Sequence, residues 1–227
     1  MFKLELYEGF ELERVESDKG RYYKTPEGAL YPSVTTILQE VYPKDLSGWI
    51  ERVGEAEATK ITNKAASRGT RIHKMCEDYV LNRFNPSKHM PFHLGLFKQI
   101  QPYLDKHVTT IYGSELRLYS DQLQAAGTTD LLCQAHGINT ILDFKGSTKV
   151  KKEEYIEHYF LQATMYAMMA EERYNIVVPQ IIIAIAVEDD LPQFFLKHTS
   201  SYREKALQTA RKHARLRAVD LFSNSIV

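Results

Sequence analysis

Cysteine is scarce in this chain, which has only Cys76 and Cys133 among 227 residues. Two thiols can build neither a disulfide framework nor a metal site with four thiolate ligands. Both classes of small, cross-linked domain are therefore excluded, and the cysteine content is typical of a reducing compartment. We expect a cytoplasmic protein.

Long apolar segments are also missing. The longest apolar run, residues 176–187, contains Pro179 and Gln180, so no membrane span is expected. Residues 1–16 alternate acidic and apolar side chains and lack both a basic leader and an apolar segment, so no cleaved targeting signal is expected.

The chain has no net charge, because 29 basic residues balance 29 acidic ones. Any binding of nucleic acid must therefore depend on local basic patches. The composition, 44% hydrophobic and 26% charged, is ordinary for a globular protein. We expect a single domain over residues 1–227.

The pattern of apolar residues divides this domain into three parts. Residues 1–32 predict a β-hairpin region, and residues 33–107 predict helices, including one over 55–82 that Gly69 bends or divides. Residues 108–227 predict a sheet and C-terminal helices, in the order βββαββα. This order indicates an α/β (α+β) fold with a mixed sheet flanked by helices.

The segment GTTDLLCQAHGINTILDFKGS, residues 127–147, predicts a β-hairpin with charges inside its strands. A two-residue turn at Gly137-Ile138, of type II′, would place Asp130 opposite Lys145. Since side chains alternate between faces along a strand, Asp130, Asp143 and Lys145 would share one face. Leu131, Leu142 and Phe144 would point into a core.

Two carboxylates on one face repel each other unless a positive group lies between them, and a divalent cation is the usual solution. Lys145 could then stabilise negative charge or help to deprotonate water. The alternative is a surface ion pair between an aspartate and a lysine, which explains the hairpin more simply when the hairpin is taken alone.

Other polar residues occur at suggestive spacings. His73 lies at i±4 from Gly69 and Glu77 on a helix, and Gln162 and Tyr166 form an i, i+4 pair. Each could be merely structural, as could Glu115 at a strand start. A basic run follows the hairpin and could contact backbone phosphates, although basic runs are usually solvated. It consists of Lys149, Lys151 and Lys152.

Taken in order, the motifs RGTRIH, AGTTD, LDFK and QATMY, preceded by YPSVTTIL, resemble those of the PD-(D/E)xK nuclease superfamily. The likeness is to the RecB-like exonuclease branch, which includes phage exonucleases. It covers roughly residues 31 to 190.

The resemblance implies a restriction-endonuclease-like core with the helical part, residues 33–107, covering the cleft. It also implies hydrolysis of DNA with one or two Mg²⁺ or Mn²⁺ ions, on single strands or free ends. The implied metal ligands are His73, Asp130, Asp143 and the backbone carbonyl of Phe144, with Lys145 positioning or activating water. The implied supporting and DNA-binding residues are Glu115, Gln162 and Tyr166.

The chain departs from the pattern in two ways. Gly146 stands where a threonine is frequent, and the cysteines that bind the iron–sulfur cluster of some relatives are absent, so no such cluster is expected. Because no helicase segment is present, we expect either a stand-alone nuclease or a subunit that acts with a separate helicase, recombinase or single-strand-binding protein. The expected setting is DNA replication, recombination, repair or phage DNA metabolism in a bacterial or phage-infected cell.

Two other functions remain open. One is a catalytically idle module that binds DNA ends, although such a module need not keep Asp130, Asp143 and Lys145 together. The other is a structure-specific endonuclease or ribonuclease on the same fold. The sequence does not separate DNA from RNA, or one strand polarity from the other.

Overall fold

A six-stranded mixed sheet forms the centre of the fold in the computed structural model, which describes residues 1–224, with side chains up to residue 218. The strand order is β1-β5-β6-β7-β8-β9, with β1–β5 and β7–β8 parallel and the other pairs antiparallel. The strands are β1 (Lys3–Leu4), β5 (Val108–Ser120), β6 (Ala125–Ala135), β7 (Ile138–Ser147), β8 (Gln180–Val187) and β9 (Gln193–His198).

The turn between β6 and β7 lies one residue earlier than predicted. His136 and Gly137 both have positive φ, 54° and 75°, which is the conformation of a type I′ turn. Leu131 therefore pairs with Leu142, and the predicted register, with Asp130 opposite Lys145, is wrong by two residues. A shift of two residues leaves every side chain on its predicted face, because faces alternate with a period of two.

Two helices cover one face of the sheet. They are α3 (Glu55–Val80) and α4 (Pro91–His107), and they bury Ile72 and Phe97 against Leu142 and Phe144. Gly69 does not divide α3, which is continuous over 26 residues. A single glycine costs a helix only about 1 kcal/mol, which this packing outweighs.

The opposite face is covered by α1 (Val34–Val41), α5 (Glu157–Tyr174) and α6 (Arg203–Asn224), while the short α2 (Ser47–Val53) precedes α3. Ser33 begins α1 as predicted, since its hydroxyl accepts a hydrogen bond from Thr36 N–H at 3.0 Å. The helices of residues 33–107 thus lie on both faces. The fold predicted from the sequence, a mixed sheet flanked by helices, is confirmed.

Residues 13–32 form a separate small antiparallel sheet of β2 (Glu13–Ser17), β3 (Gly20–Lys24) and β4 (Leu30–Pro32). Leu12 and Tyr23 bury it against Tyr119 and Ala126 of the large sheet. In the part of the chain that the structure describes, none of the helices combines the length and apolar character needed to cross a membrane.

Candidate active site

His73 reaches the sheet from α3. Ile72, beside it on the helix, is fully buried against the sheet, which turns the imidazole toward the strand β7. His73 Nε2 lies 2.7 Å from the carbonyl oxygen of Phe144, and Nδ1 lies 3.3 Å from Asp130 Oδ1. The imidazole is therefore placed between two of the groups that the resemblance implies as metal ligands.

Asp130 lies where the pairing of β6 with β7 stops. The last paired residues are Leu131 and Leu142, and beyond them Asp130 Oδ2 accepts the backbone N–H of Phe144 at 2.7 Å. Burial alone would raise the pKa of Asp130, but the charge and hydrogen bond of His73 overcome it and lower the pKa. The same interaction raises the pKa of His73 to about 9 against the effect of burial.

Asp143 and Lys145 lie on the face of β7 that α5 covers. Lys145 Nζ lies 2.6 Å from Asp143 Oδ2, and the two side chains form an ion pair. Apart from Lys145, no described residue donates a hydrogen bond to the buried Asp143 carboxylate. Burial, opposed by Lys145, raises the pKa of Asp143 to about 6. This carboxylate therefore has a single partner, fewer than a buried charge needs.

Glu115 joins the cluster through an unusual backbone conformation. It lies in β5 between residues that pair with either side of Asp130, and its φ is +50°. Burial and the charge of Asp130 raise the pKa of Glu115 to about 7. Ligand atoms of His73, Glu115 and Asp130 all lie within 4.8 Å of one another. Glu115, predicted as a supporting acid, thus lies directly beside two predicted ligands, whereas Asp143 contacts Lys145.

These groups fit a divalent cation. Carboxylate oxygens suit Mg²⁺ and Mn²⁺, an imidazole nitrogen favours the transition metal, and the Phe144 carbonyl oxygen lies at the same place. Asp143 supplies a further reason, since a bound cation would add a second positive partner to its buried carboxylate beside Lys145.

The helix α5 supports the Asp143 face. Tyr159 lies beneath Lys145, with Nζ 5.1 Å from the centre of the ring. Gln162 and Tyr166 follow on the same side of the helix, and Tyr166 is 4% exposed, so that burial raises its pKa. A Cβ atom on Gly127 would lie 2.9 Å from the Tyr166 hydroxyl. The glycine of the AGTTD motif therefore permits this tyrosine to approach the sheet.

The three predicted basic residues occupy the loop after β7. Lys149 and Lys152 are exposed, and Lys152 lies over the ring of Tyr155. Lys151 is partly buried, and its backbone exchanges two hydrogen bonds with the side chain of Gln193. The loop is thus held by Gln193, and it leaves the lysine side chains near the end of the strand that carries Lys145.

Sequence reasoning missed Arg68, which explains the departure at Gly146. Arg68 Nη1 donates to Glu188 Oε1 at 2.6 Å in a buried ion pair. A Cβ on Gly146 would lie 2.8 Å from Ile72 Cδ1 and 3.2 Å from Arg68 Nε. The residue after Lys145 is therefore glycine because α3 lies close to the strand. Tyr159 was also missed, although it stands three residues before Gln162 on the same helical face.

One surface cavity lies away from this cluster. It has a volume of about 680 Å³ and is lined by residues of α4 and of the β8–β9 turn, among them Phe92, Gln99 and Leu191. We assign the site from the chemistry of the side chains, because no functional cluster lines that cavity in the described residues. Cys76 is buried with a raised pKa, as expected of a core residue.

Comparison with known proteins supports the motif set. Mitochondrial genome maintenance exonuclease 1 is 27% identical over 175 residues in Xenopus tropicalis and 25% identical over 174 residues in Mus musculus. Each match covers 71% of this chain, and the chain spans about half the length of the curated relatives it matches. No protein-family model matches the sequence.

Among solved structures, a candidate exonuclease from Eubacterium rectale shares 13% identity at a TM-score of 0.45, over 70% of this chain and 69% of the other. We draw nothing further from so distant a likeness. The two curated relatives and the ordered motifs together confirm the predicted resemblance to the RecB-like exonuclease branch of the PD-(D/E)xK nucleases.

Proposed function

We propose that this chain is a metal-dependent DNA exonuclease. The observation that carries the proposal is the convergence of His73, Glu115 and Asp130 within 4.8 Å, beside the buried pair of Asp143 and Lys145. A surface ion pair, the simpler interpretation of the hairpin, would need neither the histidine from α3 nor the burial of Asp143.

Mg²⁺ or Mn²⁺ would be held by His73, Asp130, Asp143 and the carbonyl of Phe144, with Glu115 as an additional acid. When bound, such an ion supplies positive charge that offsets the charge of the phosphate and eases deprotonation of the attacking water. Because one donor is an imidazole nitrogen, we expect activity with both ions, stronger binding of Mn²⁺, and no activity with Ca²⁺ or EDTA.

Lys145 would act on the phosphate through its charge. Burial opposes that charge, but Asp143 and Asp130 raise the pKa of Lys145, so the ammonium group persists. Its ion pair with Asp143 and the ring of Tyr159 hold it at the face of the sheet. In hydrolysis, water oxygen bonds to phosphorus as the ester P–O bond breaks, and a nearby cation stabilises the negative charge that accumulates on the phosphate oxygens.

The preference for free ends comes from similarity. The two curated relatives are named exonucleases, and a nuclease of that kind removes nucleotides from a chain end. We extend this preference to single-stranded DNA because helices cover both faces of the sheet beside the site. Action in genome replication, recombination or repair, and cooperation with a separate helicase, recombinase or single-strand-binding protein, belong to the same proposal.

The decisive experiment is digestion of oligonucleotides labelled at the 5′ or the 3′ end, single- and double-stranded, with Mg²⁺, Mn²⁺, Ca²⁺ or EDTA. We expect stepwise loss of nucleotides from one end, abolished by Lys145→Ala and by Asp143→Ala. Lys106→Ala, on the exposed end of α4, serves as the matched control and should leave the rate unchanged.

Several results would contradict the proposal. Cleavage that persists in EDTA, or full activity in both variants, would remove the site from the reaction. Cleavage of circular DNA would indicate an endonuclease instead, and preferential cleavage of RNA would indicate a ribonuclease. Tight binding of DNA ends without cleavage under every metal condition would favour an idle end-binding module.

A further inference from the structure

Two lysines and a histidine interact electrostatically near Lys145, and each comes from a different element. They are Lys44 from the α1–α2 connection, Lys151 from the loop after β7, and His158 from the first turn of α5. We call them the basic cluster. Lys44 Nζ donates a hydrogen bond to His158 Nε2 at 3.2 Å, which fixes the otherwise exposed lysine.

The members of the basic cluster act on one another electrostatically. Burial, followed by the charges of Lys44, Lys145 and Lys151, lowers the pKa of His158 to about 4. The ring is therefore neutral at pH 7 and accepts the Lys44 hydrogen bond. Lys44 and Lys151 both lie close enough to the ring for their charges to lower its pKa.

Nearby acids do not neutralise this charge. Glu157 pairs with Lys205 at 2.5 Å, and Glu153 pairs with Lys197 at 2.5 Å. Within the described part of the chain, neither Lys44 nor Lys151 forms an ion pair with a carboxylate. The cluster is thus a patch of positive charge in a protein whose total charge is zero.

The basic cluster is continuous with the candidate active site through Tyr159. The centres of the His158 and Tyr159 rings lie 4.3 Å apart, and Lys145 Nζ lies 5.1 Å from the Tyr159 ring. The first turn of α5 also has no side-chain cap, so its N–H groups add a partial positive charge at the same place. An anion bound there would be adjacent to the phosphate that contacts Lys145.

We propose that Lys44, Lys151 and His158 form a subsite for one backbone phosphate of the nucleic acid, next to the phosphate that is hydrolysed. The inference rests on the proposed function and adds to it. Lys44 and Lys151 bind the phosphate by charge, and His158 is a positioning residue that orients Lys44. A phosphate near Lys145 and the site carboxylates is held in register by this second contact.

The test measures binding separately from cleavage. A fluorescent single-stranded 12-mer is titrated with the full chain in EDTA at several salt concentrations, and affinity is read by anisotropy. For single strands, log K falls with log salt by about 0.7 per phosphate contact. Lys44→Ala and Lys151→Ala should each reduce the slope by about 0.7 and weaken binding roughly three- to tenfold at low salt. Lys106→Ala should change neither quantity.

His158 is tested by rescue. His158→Ala should weaken binding as Lys44→Ala does, while His158→Gln, whose amide oxygen can still accept from Lys44, should retain most of the affinity. In cleavage assays the lysine variants should raise KM severalfold and leave kcat within about twofold, since they bind substrate and transition state alike. If the slope of log K against log salt is unchanged in both lysine variants, the proposed subsite is wrong.

The source of the phosphate is settled by a second comparison. The assignment to a backbone phosphate is wrong if Lys44→Ala weakens the binding only of oligonucleotides that carry a terminal phosphate. It is also wrong if inorganic phosphate at low millimolar concentration displaces the fluorescent 12-mer as well as an unlabelled 12-mer does. A chain that fails to cleave with any metal but keeps the lysine-dependent slope would refute the nuclease and support the subsite. Cleavage by a chain whose lysine variants show unaltered salt slopes would support the nuclease and refute the subsite.

Discussion

Asp130 takes the place of a backbone carbonyl in the pairing of the two central strands, because its Oδ2 accepts the Phe144 N–H at 2.7 Å. The other oxygen of the same carboxylate, Oδ1, faces His73 Nδ1 at 3.3 Å. One side chain therefore satisfies a backbone N–H where the strand pairing ends and also contributes charge to the candidate metal site. These two tasks can be separated by substitution.

Asp130→Asn keeps an oxygen that can accept from Phe144 but loses the charge, whereas Asp130→Ala loses both. We expect both variants to lose activity by about 100-fold or more. The alanine variant should also be less stable than the asparagine variant by about 1–3 kcal/mol, the cost of leaving a buried N–H unpaired. Initial rates with Mn²⁺ and urea unfolding in EDTA measure the two effects. Equal stability of the two variants would show that the hydrogen bond is dispensable.

The predictable part of the site follows from periodicity. Asp130, Asp143 and Lys145 could be assigned to faces because strand side chains alternate, and Gln162 and Tyr166 could be paired because they are one helical turn apart. The register was mispredicted because it depends on a positive φ at His136, a conformation that non-glycine residues seldom adopt. The position of Glu115 beside the predicted metal ligands was not predicted, because its φ is positive as well.

No periodic pattern in the sequence predicts contacts between residues that are far apart in the chain. Lys44 and His158 are 114 residues apart, and Arg68 and Glu188 are 120 residues apart. No period in the sequence connects such pairs, since each depends on how separate layers are stacked on the sheet. The basic cluster and the requirement for glycine at position 146 are therefore visible only in the structure.

Gly127→Ala should destabilise the protein by about 1–3 kcal/mol, because the new Cβ would overlap the buried Tyr166 side chain. Gly69→Ala is the matched control: its Cβ would meet nothing within 4 Å, and alanine favours a helix by about 0.5–1 kcal/mol. The free energy of unfolding in urea should thus fall for the first variant and rise for the second. A shift in the same direction for both would refute the crowding at Gly127.

Gly146→Ala should be coupled to Ile72. The added Cβ would lie 2.8 Å from Ile72 Cδ1, the one methyl carbon that Ile72→Val removes. Alone, Gly146→Ala should cost about 1–3 kcal/mol through overpacking, and Ile72→Val about 0.5–1.5 kcal/mol through a lost contact. The double variant should be more stable than the sum of these losses predicts by at least about 0.5 kcal/mol. Strict additivity in urea unfolding would contradict the close approach of α3.

His158 predicts how stability depends on pH. Its pKa is lowered from 6.5 to about 4 in the folded chain, first by burial and then by Lys44, Lys145 and Lys151. Between these values the unfolded chain binds the extra proton, so the stabilising effect is complete above pH 6.5 and is lost as the pH falls toward 4. His158 is only partly buried, so we expect a loss of about 1 kcal/mol between pH 7 and pH 5 after allowance for solvent screening.

Comparison with variants isolates this contribution from the other titrating groups. His158→Gln cannot take up the proton, so its free energy of unfolding should fall less than that of the wild type between pH 7 and pH 5. Lys44→Ala keeps the histidine but removes the nearest of the three positive charges named as causes, so its loss should be intermediate. Parallel pH profiles for all three proteins would mean that His158 does not feel the lysines, and the basic cluster would then lose its electrostatic support.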